Sequence, residues 1–139
     1  PHVETPQDNL YTQEEMKMLY ETRKILSDDQ LKVSATCVRV PVIRCHSESI
    51  NIEFDQNPDV EKISQLINNY PGITILDDIH TNTYPTPVFG EGKEDVYVGR
   101  LRKDISNENA INLWAVSDNL VKGAALNAIQ ILEEFQKIG

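Results

Sequence analysis

The sequence has 139 residues, of which 40% are hydrophobic and 25% are charged, which suits one soluble domain and is too short for two. The formal net charge of −9 disfavours nucleic acid and anionic membranes as partners, although a few basic residues can still bind an anionic substrate. No apolar run approaches a membrane span, and residues 1–5 lack the features of a signal peptide. We therefore expect a cytoplasmic protein in which Cys37 and Cys45 are reduced thiols.

Two elements are predicted in the first third of the chain. Thr12 and Glu15 form a capping box, which predicts a helix from there to about Leu26. The β-branched residues of 31–42 then predict a strand, and Pro41 limits its end or places it at an edge.

The middle of the chain alternates short strands with breaks. Residues 47–54 predict a second strand, and an Asn-Pro-Asp sequence at 57–59 opens a helix that we expect to end near residue 69. A short strand over 73–76 follows, and then a loop rich in proline and glycine over 77–93.

Two more strands and one long helix complete the chain. Residues 96–101 and 111–116 predict the strands, and residues 120–137 predict a helix with a wide apolar stripe. The order α-β-β-α-β-β-β-α favours an α+β fold, with helices packed on one face of a mixed, largely antiparallel sheet. We expect a single domain over residues 1–139.

The first predicted strand carries an arginine, which is unusual. Alternation puts Arg39 on the face of Val33, Ala35 and Cys37, a setting that suits two-point capture of a carboxylate. His46 follows beyond a proline-bent segment, and histidine is the usual proton carrier near neutral pH. The alternative interpretation is an arginine that reaches solvent and a histidine that is merely hydrogen-bonded.

Two further candidates lie on helices. Glu14 and Lys17 share a face of the first helix, and together they could receive an ammonium and a phosphate or form an ordinary surface ion pair. Asn119 would lie in the first turn of the last helix, after a capping Ser117 or Asp118, where amide groups can reach a ligand. The alternative there is a capped helix that only packs.

Other kinds of site are not supported. Cys45 and His46 are neighbours on an extended segment and would point apart, so they are a poor nucleophile–base pair. The cysteines and histidines lack a metal-ligand spacing, and we expect no metal. The only G-x-G is Gly90-Glu91-Gly92, and Asp95 stands where a dinucleotide fingerprint needs its third glycine.

Four blocks of sequence together resemble one family. The matched patterns are T-x-E-E-x-K within 11–17, T-C-V-R-V-P-x-x-x-x-H-S-E-S within 34–49, V-G-R-[IL]-R-x-D at 98–104 and L-W-x-V-x-D-N-L-x-K-G-A-A-x-N at 113–127. Because these blocks occur in family order, the chain resembles the C-terminal catalytic and dimerisation domain of bacterial aspartate-semialdehyde dehydrogenases, most closely the Gram-positive type.

The resemblance implies reductive dephosphorylation of L-aspartyl-4-phosphate to aspartate semialdehyde, with release of phosphate, in lysine, threonine and methionine biosynthesis. It implies that NADP is bound mainly by an N-terminal domain absent from this chain, which also carries the nucleophilic cysteine. Neither Cys37 nor Cys45 matches that nucleophile, so the 139 residues should be inactive alone. The family also implies a homodimer.

Residue roles follow from the matched motifs. Arg39 would hold the substrate α-carboxylate, and His46 would be the general acid/base. Glu14 would meet the substrate ammonium, Lys17 the phosphate, and Asn119 the nicotinamide end of the cofactor. A protein of a different class remains the alternative, namely a stand-alone dimerising or ligand-binding module derived from this fold.

Overall fold

A computed structural model describes residues 1–138, and the chain divides into two compact units at the boundary between Pro41 and Val42. Each unit is described by itself. The assignment of residues 1–139 to one substrate-binding and dimerisation domain stays a prediction. Within the described residues, no helix is both long enough and apolar enough to cross a membrane.

The first unit is built around helix α1, Gln13–Leu26. The Thr12 hydroxyl accepts from the Glu15 N–H, and the Glu15 carboxylate accepts from the Thr12 N–H at 2.8 Å. The predicted capping box is therefore confirmed. The helix ends at Ser27, whose φ of 53° turns the chain out of the helix.

The strand predicted over residues 31–42 is wrong, because the structure forms no strand there. Burial does alternate from Leu31 to Cys37, as the sequence pattern suggested. However, side chains of α1 satisfy the backbone where a neighbouring strand would have been needed. Arg23 donates to the Leu31 carbonyl at 2.8 Å, and the Cys37 N–H donates to Glu15 at 3.0 Å. The alternation of apolar and polar residues therefore reflects a half-buried segment that lies beside a helix and not a strand.

The second unit contains four strands and three α-helices. These elements, in chain order, are β1 (His46–Glu53), α2 (Val60–Asn68), β2 (Ile73–Ile75), α3 (Pro87–Gly90), β3 (Val96–Lys103), β4 (Ala110–Ser117) and α4 (Leu126–Ile138). Each predicted strand and helix of this unit is present, with bounds shifted by a few residues. The short helix α3 lies in a segment predicted as loop.

The last predicted helix is not a regular α-helix from its expected start near residue 120. Val121–Ala125 form a π-helical turn ahead of α4, in which the Ala125 N–H reaches the Leu120 carbonyl five residues back. Such turns are rare and often lie at functional sites. The start of this helix therefore has a wider backbone than the sequence pattern predicted.

The four strands form one sheet in the order β1-β4-β3-β2. Strand β4 is antiparallel to both β1 and β3, whereas β2 is parallel to β3. The sheet is therefore mixed and largely antiparallel, which confirms the predicted α+β class. The register places His46 opposite Ser117 and Ile50 opposite Leu113.

The core of the second unit lies between this sheet and α2. Val98, Ile111 and Leu113 are buried at its centre. Three residues of α2 at helical spacing pack against them, namely Val60, Ile63 and Ile67. By contrast, α4 has no buried residue, and its Ile129, Leu132 and Phe135 are 54%, 57% and 74% exposed.

Gly99 lies where strand β3 passes closest to another part of the chain. A Cβ atom at Gly99 would lie 2.5 Å from the Leu76 carbonyl oxygen and 2.6 Å from Cδ of Pro85. A bulge in the β3–β4 pairing begins at the same residue and ends at Arg102. Only glycine fits here without moving the backbone that leads from β2.

Replacing Gly99 with alanine should therefore destabilise the protein. We expect Gly99→Ala to lower the free energy of unfolding by about 2–3 kcal/mol, as for other overpacked cores. Urea unfolding followed by circular dichroism measures it. Gly123→Ala is the matched control, because its Cβ would meet only Asn119 Cβ at 3.9 Å and should cost nothing. Equal midpoints for the wild type and Gly99→Ala would contradict the close packing.

Candidate functional site

The five candidate residues are divided between the two units. Glu14, Lys17 and Arg39 lie in the first unit, and His46 and Asn119 lie in the second. Each group is therefore described within its own unit.

Glu14 and Lys17 form an ion pair on α1. Lys17 Nζ lies 2.8 Å from Glu14 Oε2, and both side chains are partly open to solvent. The hydrogen bond that Lys17 donates to Glu14, together with the negative charge of Glu14, raises the pKa of Lys17. The two side chains share one helical face, as predicted, and they neutralise each other's charge.

Arg39 is exposed, and it has no hydrogen bond or ion pair with any residue of the described chain. The backbone two residues earlier is anchored, because the Cys37 N–H donates to Glu15 Oε1. Bonds from the Thr12 and Cys37 backbones lower the pKa of Glu15 and keep that anchor ionised. The Arg39 guanidinium thus extends from a fixed segment with its donors available.

His46 begins strand β1 with an exposed side chain. The residue before it, Cys45, has a φ of 77°, which is uncommon for any residue other than glycine. Backbone strain of this kind costs on the order of 1–3 kcal/mol and persists only where surrounding contacts impose it. Here the Cys45 N–H donates to Oδ1 of Asn119 at 3.0 Å. The structure therefore brings His46 and Asn119 to the same end of the sheet.

Asn119 is half-buried, and its side chain has two different ends. Its carbonyl oxygen is used by the Cys45 N–H, whereas its amide nitrogen has no partner among residues 1–138. A side-chain amide in this state still offers two N–H donors. It could donate them to a carbonyl or carboxamide oxygen of a ligand.

Asp118 is the feature that sequence reasoning underestimated. The sequence predicts Asp118 only as a possible helix cap, and its Oδ1 does accept from the Leu120 and Val121 N–H groups at 2.9 and 3.3 Å. Its Oδ2 accepts from the Gly92 N–H at 2.7 Å and lies 3.1 Å from a guanidinium nitrogen of Arg44. The side chain is fully buried.

These contacts also hold the Asp118 carboxylate in its charged form. The Gly92 N–H bond lowers its pKa most, and the Leu120 N–H and the Arg44 charge lower it further. The available sequence signal was position alone, since Arg44 lies two residues before His46 and Asp118 directly precedes Asn119.

Cys45 is not placed as a nucleophile. Its side chain is buried, and its Sγ lies 3.3 Å from the Pro87 carbonyl oxygen. Burial raises the pKa of this thiol, and the charges of Asp118 and Glu91 raise it further. Since the thiolate is the reactive form, this environment disfavours Cys45 as a nucleophile.

Cys45 should therefore resist alkylation until the protein unfolds. We expect iodoacetamide at pH 7 to label native Cys45 at least about tenfold more slowly than the same residue in urea. Mass spectrometry of the peptide that contains Cys45 measures the rate, and the half-buried Cys37 in the same sample is the internal reference. Equal labelling of native and unfolded Cys45 would contradict its burial.

The sheet also carries a cavity of about 350 Å³ in the second unit. Its lining includes Trp114, Ser49 and the arginines at 100 and 102, together with the segment 84–87. The Trp114 indole donates to the Pro85 carbonyl at 3.0 Å. His46 and Asn119 are not part of this cavity. Among the described residues, no cluster of histidine, cysteine or acidic side chains could hold a metal ion.

Comparison with known proteins agrees with this fold. The family described as semialdehyde dehydrogenase, dimerisation domain, matches residues 1–122. The chain therefore belongs to the semialdehyde dehydrogenase dimerisation-domain family. It is 48% identical to the aspartate-semialdehyde dehydrogenase of Aquifex aeolicus over 139 residues, which are 100% of this chain and 41% of the relative.

Solved structures give the same result. An aspartate semialdehyde dehydrogenase II from Vibrio cholerae, complexed with ASA, matches with a TM-score of 0.90 and 44% identity over 96% of this chain and 39% of its own. The aspartate semialdehyde dehydrogenase from Candida albicans with NADP matches with a TM-score of 0.68 and 28% identity, over 86% of this chain and 40% of its own. The chain thus spans about two fifths of the length of these relatives.

Proposed function

We propose that the chain is the C-terminal substrate-binding and dimerisation domain of an aspartate-semialdehyde dehydrogenase. The observation that carries the proposal is the bond from the Cys45 N–H to Asn119, which holds a histidine and an available amide at one end of the sheet. The family match across residues 1–122 and the names of the relatives support it. The reaction is the NADPH-dependent reduction of L-aspartyl-4-phosphate to aspartate semialdehyde with release of phosphate.

Three polar residues of the first unit each bind a different charged group of the substrate. Arg39 grips the α-carboxylate, which suits its available planar guanidinium. Glu14 receives the substrate ammonium and Lys17 the phosphate, so substrate binding replaces their mutual ion pair with ion pairs to oppositely charged groups of the ligand. The nucleophilic cysteine comes from the nucleotide-binding domain, since neither Cys37 nor Cys45 matches the nucleophile of the family and Cys45 is buried with a raised pKa.

His46 is the proposed general acid/base. Its imidazole is exposed at the start of β1, so a substrate oxygen can approach it directly. In the direction of aldehyde oxidation, it donates a proton to the aldehyde oxygen as the cysteine thiolate adds to the carbonyl carbon. It removes that proton again when the carbonyl re-forms. The fixed backbone at Cys45 limits the directions in which the ring can point.

The cofactor is NADP, held mainly outside these residues. When bound, it supplies or accepts the hydride. Asn119 fits its nicotinamide end, because the amide nitrogen of Asn119 is available to donate to a carboxamide oxygen while Oδ1 stays on the Cys45 N–H. Asn119 would thus orient the cofactor with one end of its side chain and the histidine strand with the other.

The assembly that we propose is a homodimer in the cytoplasm with small-molecule substrates. The dimerisation-domain match supports the dimer. The exposed apolar stripe of α4 supports a contact with the nucleotide-binding domain, because an uncovered apolar stripe usually marks an interaction surface. Net negative charge supports the absence of nucleic-acid and membrane partners.

Activity should require the nucleotide-binding domain. We expect the full-length protein to reduce NADP when given L-aspartate semialdehyde and phosphate, and the 139 residues alone to show no turnover above background. Absorbance of NADPH measures both. The Cys45→Ser variant of the full-length protein is the control and should remain active, since the nucleophile lies elsewhere and serine keeps the backbone N–H that bonds Asn119. Turnover by the 139 residues alone would contradict the proposal, and so would an inactive full-length protein.

Arg39 provides a sharper test of the substrate site. In the full-length protein, Arg39→Lys should lose at least about a hundredfold in kcat/KM, because one ammonium cannot reproduce a two-point grip on a carboxylate. Steady-state kinetics with L-aspartate semialdehyde measure the loss. Arg23→Lys is the matched control, since among the described residues the Arg23 side chain bonds only to the Leu31 carbonyl and should affect stability alone. Wild-type kinetics for Arg39→Lys would remove Arg39 from the site.

A further inference from the structure

Two consecutive residues before β1 are fastened to two consecutive residues after β4. Arg44 is paired with Asp118 at 3.1 Å, and the Cys45 N–H is bonded to Asn119 at 3.0 Å. The strands themselves meet directly beside these contacts, where His46 lies opposite Ser117. We call this double contact between 44–45 and 118–119 the strand clamp.

Asp118 is the centre of the strand clamp. Besides Arg44, it accepts N–H groups from Gly92 on the loop before β3 and from Leu120 and Val121 at the start of the last helix. Three separate segments therefore converge on one fully buried carboxylate. Removing the charge would leave the Arg44 guanidinium without its close partner, since Glu91 lies at 3.9 Å.

The strand clamp imposes the unusual backbone next to His46. The φ of Cys45 is 77°, a conformation that a cysteine leaves unless its neighbours hold it. The hydrogen bond to Asn119 holds the Cys45 N–H, and Asp118 fixes Asn119 through the turn that follows it. A change of φ at Cys45 would turn the Cα–Cβ direction of His46 and move its ring.

We propose that Asp118, paired with Arg44, is a positioning residue that sets the imidazole of His46 and the amide of Asn119 relative to each other. This inference rests on the proposed function, because it assigns a reaction to those two groups. Asp118 has no access to substrate and acts only through its neighbours. Displacing a reacting group by about 1 Å can cost a hundredfold in rate, so a buried clamp has a kinetic effect beyond its effect on stability.

Asp104 offers a matched control within the same sheet. It also makes several bonds, to the Ser106 N–H and hydroxyl at 2.7 Å and to the Asn51 amide at 2.7 Å. It lies next to Ala110, whereas Asp118 follows Ser117 at the opposite end of β4. Asp104→Asn therefore disturbs a carboxylate that also has several hydrogen bonds, although it is less buried than Asp118, without touching the strand clamp.

The experiment compares Asp118→Asn, Arg44→Lys and Asp104→Asn in the full-length protein. For Asp118→Asn we expect kcat to fall at least about tenfold while KM for L-aspartate semialdehyde changes less than about threefold, the pattern of a lost transition-state arrangement. Arg44→Lys should show a smaller loss of the same kind, because it keeps the cation. Asp104→Asn should keep the wild-type kcat, whatever its melting temperature.

A second measurement reads the geometry without activity. Hydrogen exchange of the Cys45 N–H should become at least about tenfold faster in Asp118→Asn and stay unchanged in Asp104→Asn. Only the first substitution loosens Asn119, whose Oδ1 accepts the hydrogen bond from the Cys45 N–H. Arg44→Lys keeps the test decisive if Asp118→Asn does not fold. The inference is overturned if the clamp variants keep the wild-type kcat, or if Asp104→Asn loses kcat equally.

The two proposals fail in different ways. A wild-type full-length protein without aspartate-semialdehyde dehydrogenase activity overturns the proposed function and with it the kinetic role of the strand clamp. An active wild type with unchanged Cys45 exchange in the clamp variants overturns the positioning role alone.

Discussion

The contacts of the buried Asp118 carboxylate hold together the end of the sheet that carries His46 and Asn119. A charge without solvent is costly unless every acceptor position is used, and here a guanidinium and backbone N–H groups use them. The groups come from the segment before β1, the loop before β3 and the start of the last helix. The direction of three chain segments is thereby tied to one side chain.

Close packing around Cys45 makes that arrangement specific. An added Cβ at Gly90, the last residue of α3, would meet Val116 at 3.2 Å and the Cys45 sulfur at 3.4 Å. Helix α3 therefore comes close to the strands where it carries glycine. The strained φ of Cys45 lies within this packing, and the hydrogen bond to Asn119 holds its N–H. Strain of this kind aims the following residue without requiring it to make contacts itself.

Local signals in the sequence predicted the elements that local physics determines. The capping box at Thr12 and Glu15 gave α1, and the alternating apolar residues gave the strands of the second unit. The strand prediction for residues 31–42 was wrong because alternation shows which side chains are half-buried. It does not show which groups form hydrogen bonds with the backbone. There the partners were Arg23 and Glu15 on a helix.

The site was predictable to a lesser degree, and for a different reason. His46 and Asn119 were selected by their chemistry and by the family resemblance, and their catalytic roles stay predictions. The bond that relates them joins residues 74 positions apart, and no periodicity encodes such a contact. Arg44 and Asp118 were missed as a pair for the same reason. The π-helical turn at Val121–Ala125 was not predicted either, because the apolar spacing there matches an ordinary α-helix.

The position of β1 in the sheet has a consequence for how the protein behaves among its own copies. In the described part of the chain its only strand neighbour is β4, so its outer backbone groups can template another strand. Exposed carboxylates at Glu48 and Glu53 stand along it. Because like charges resist edge-to-edge pairing, these carboxylates disfavour aggregation through this edge.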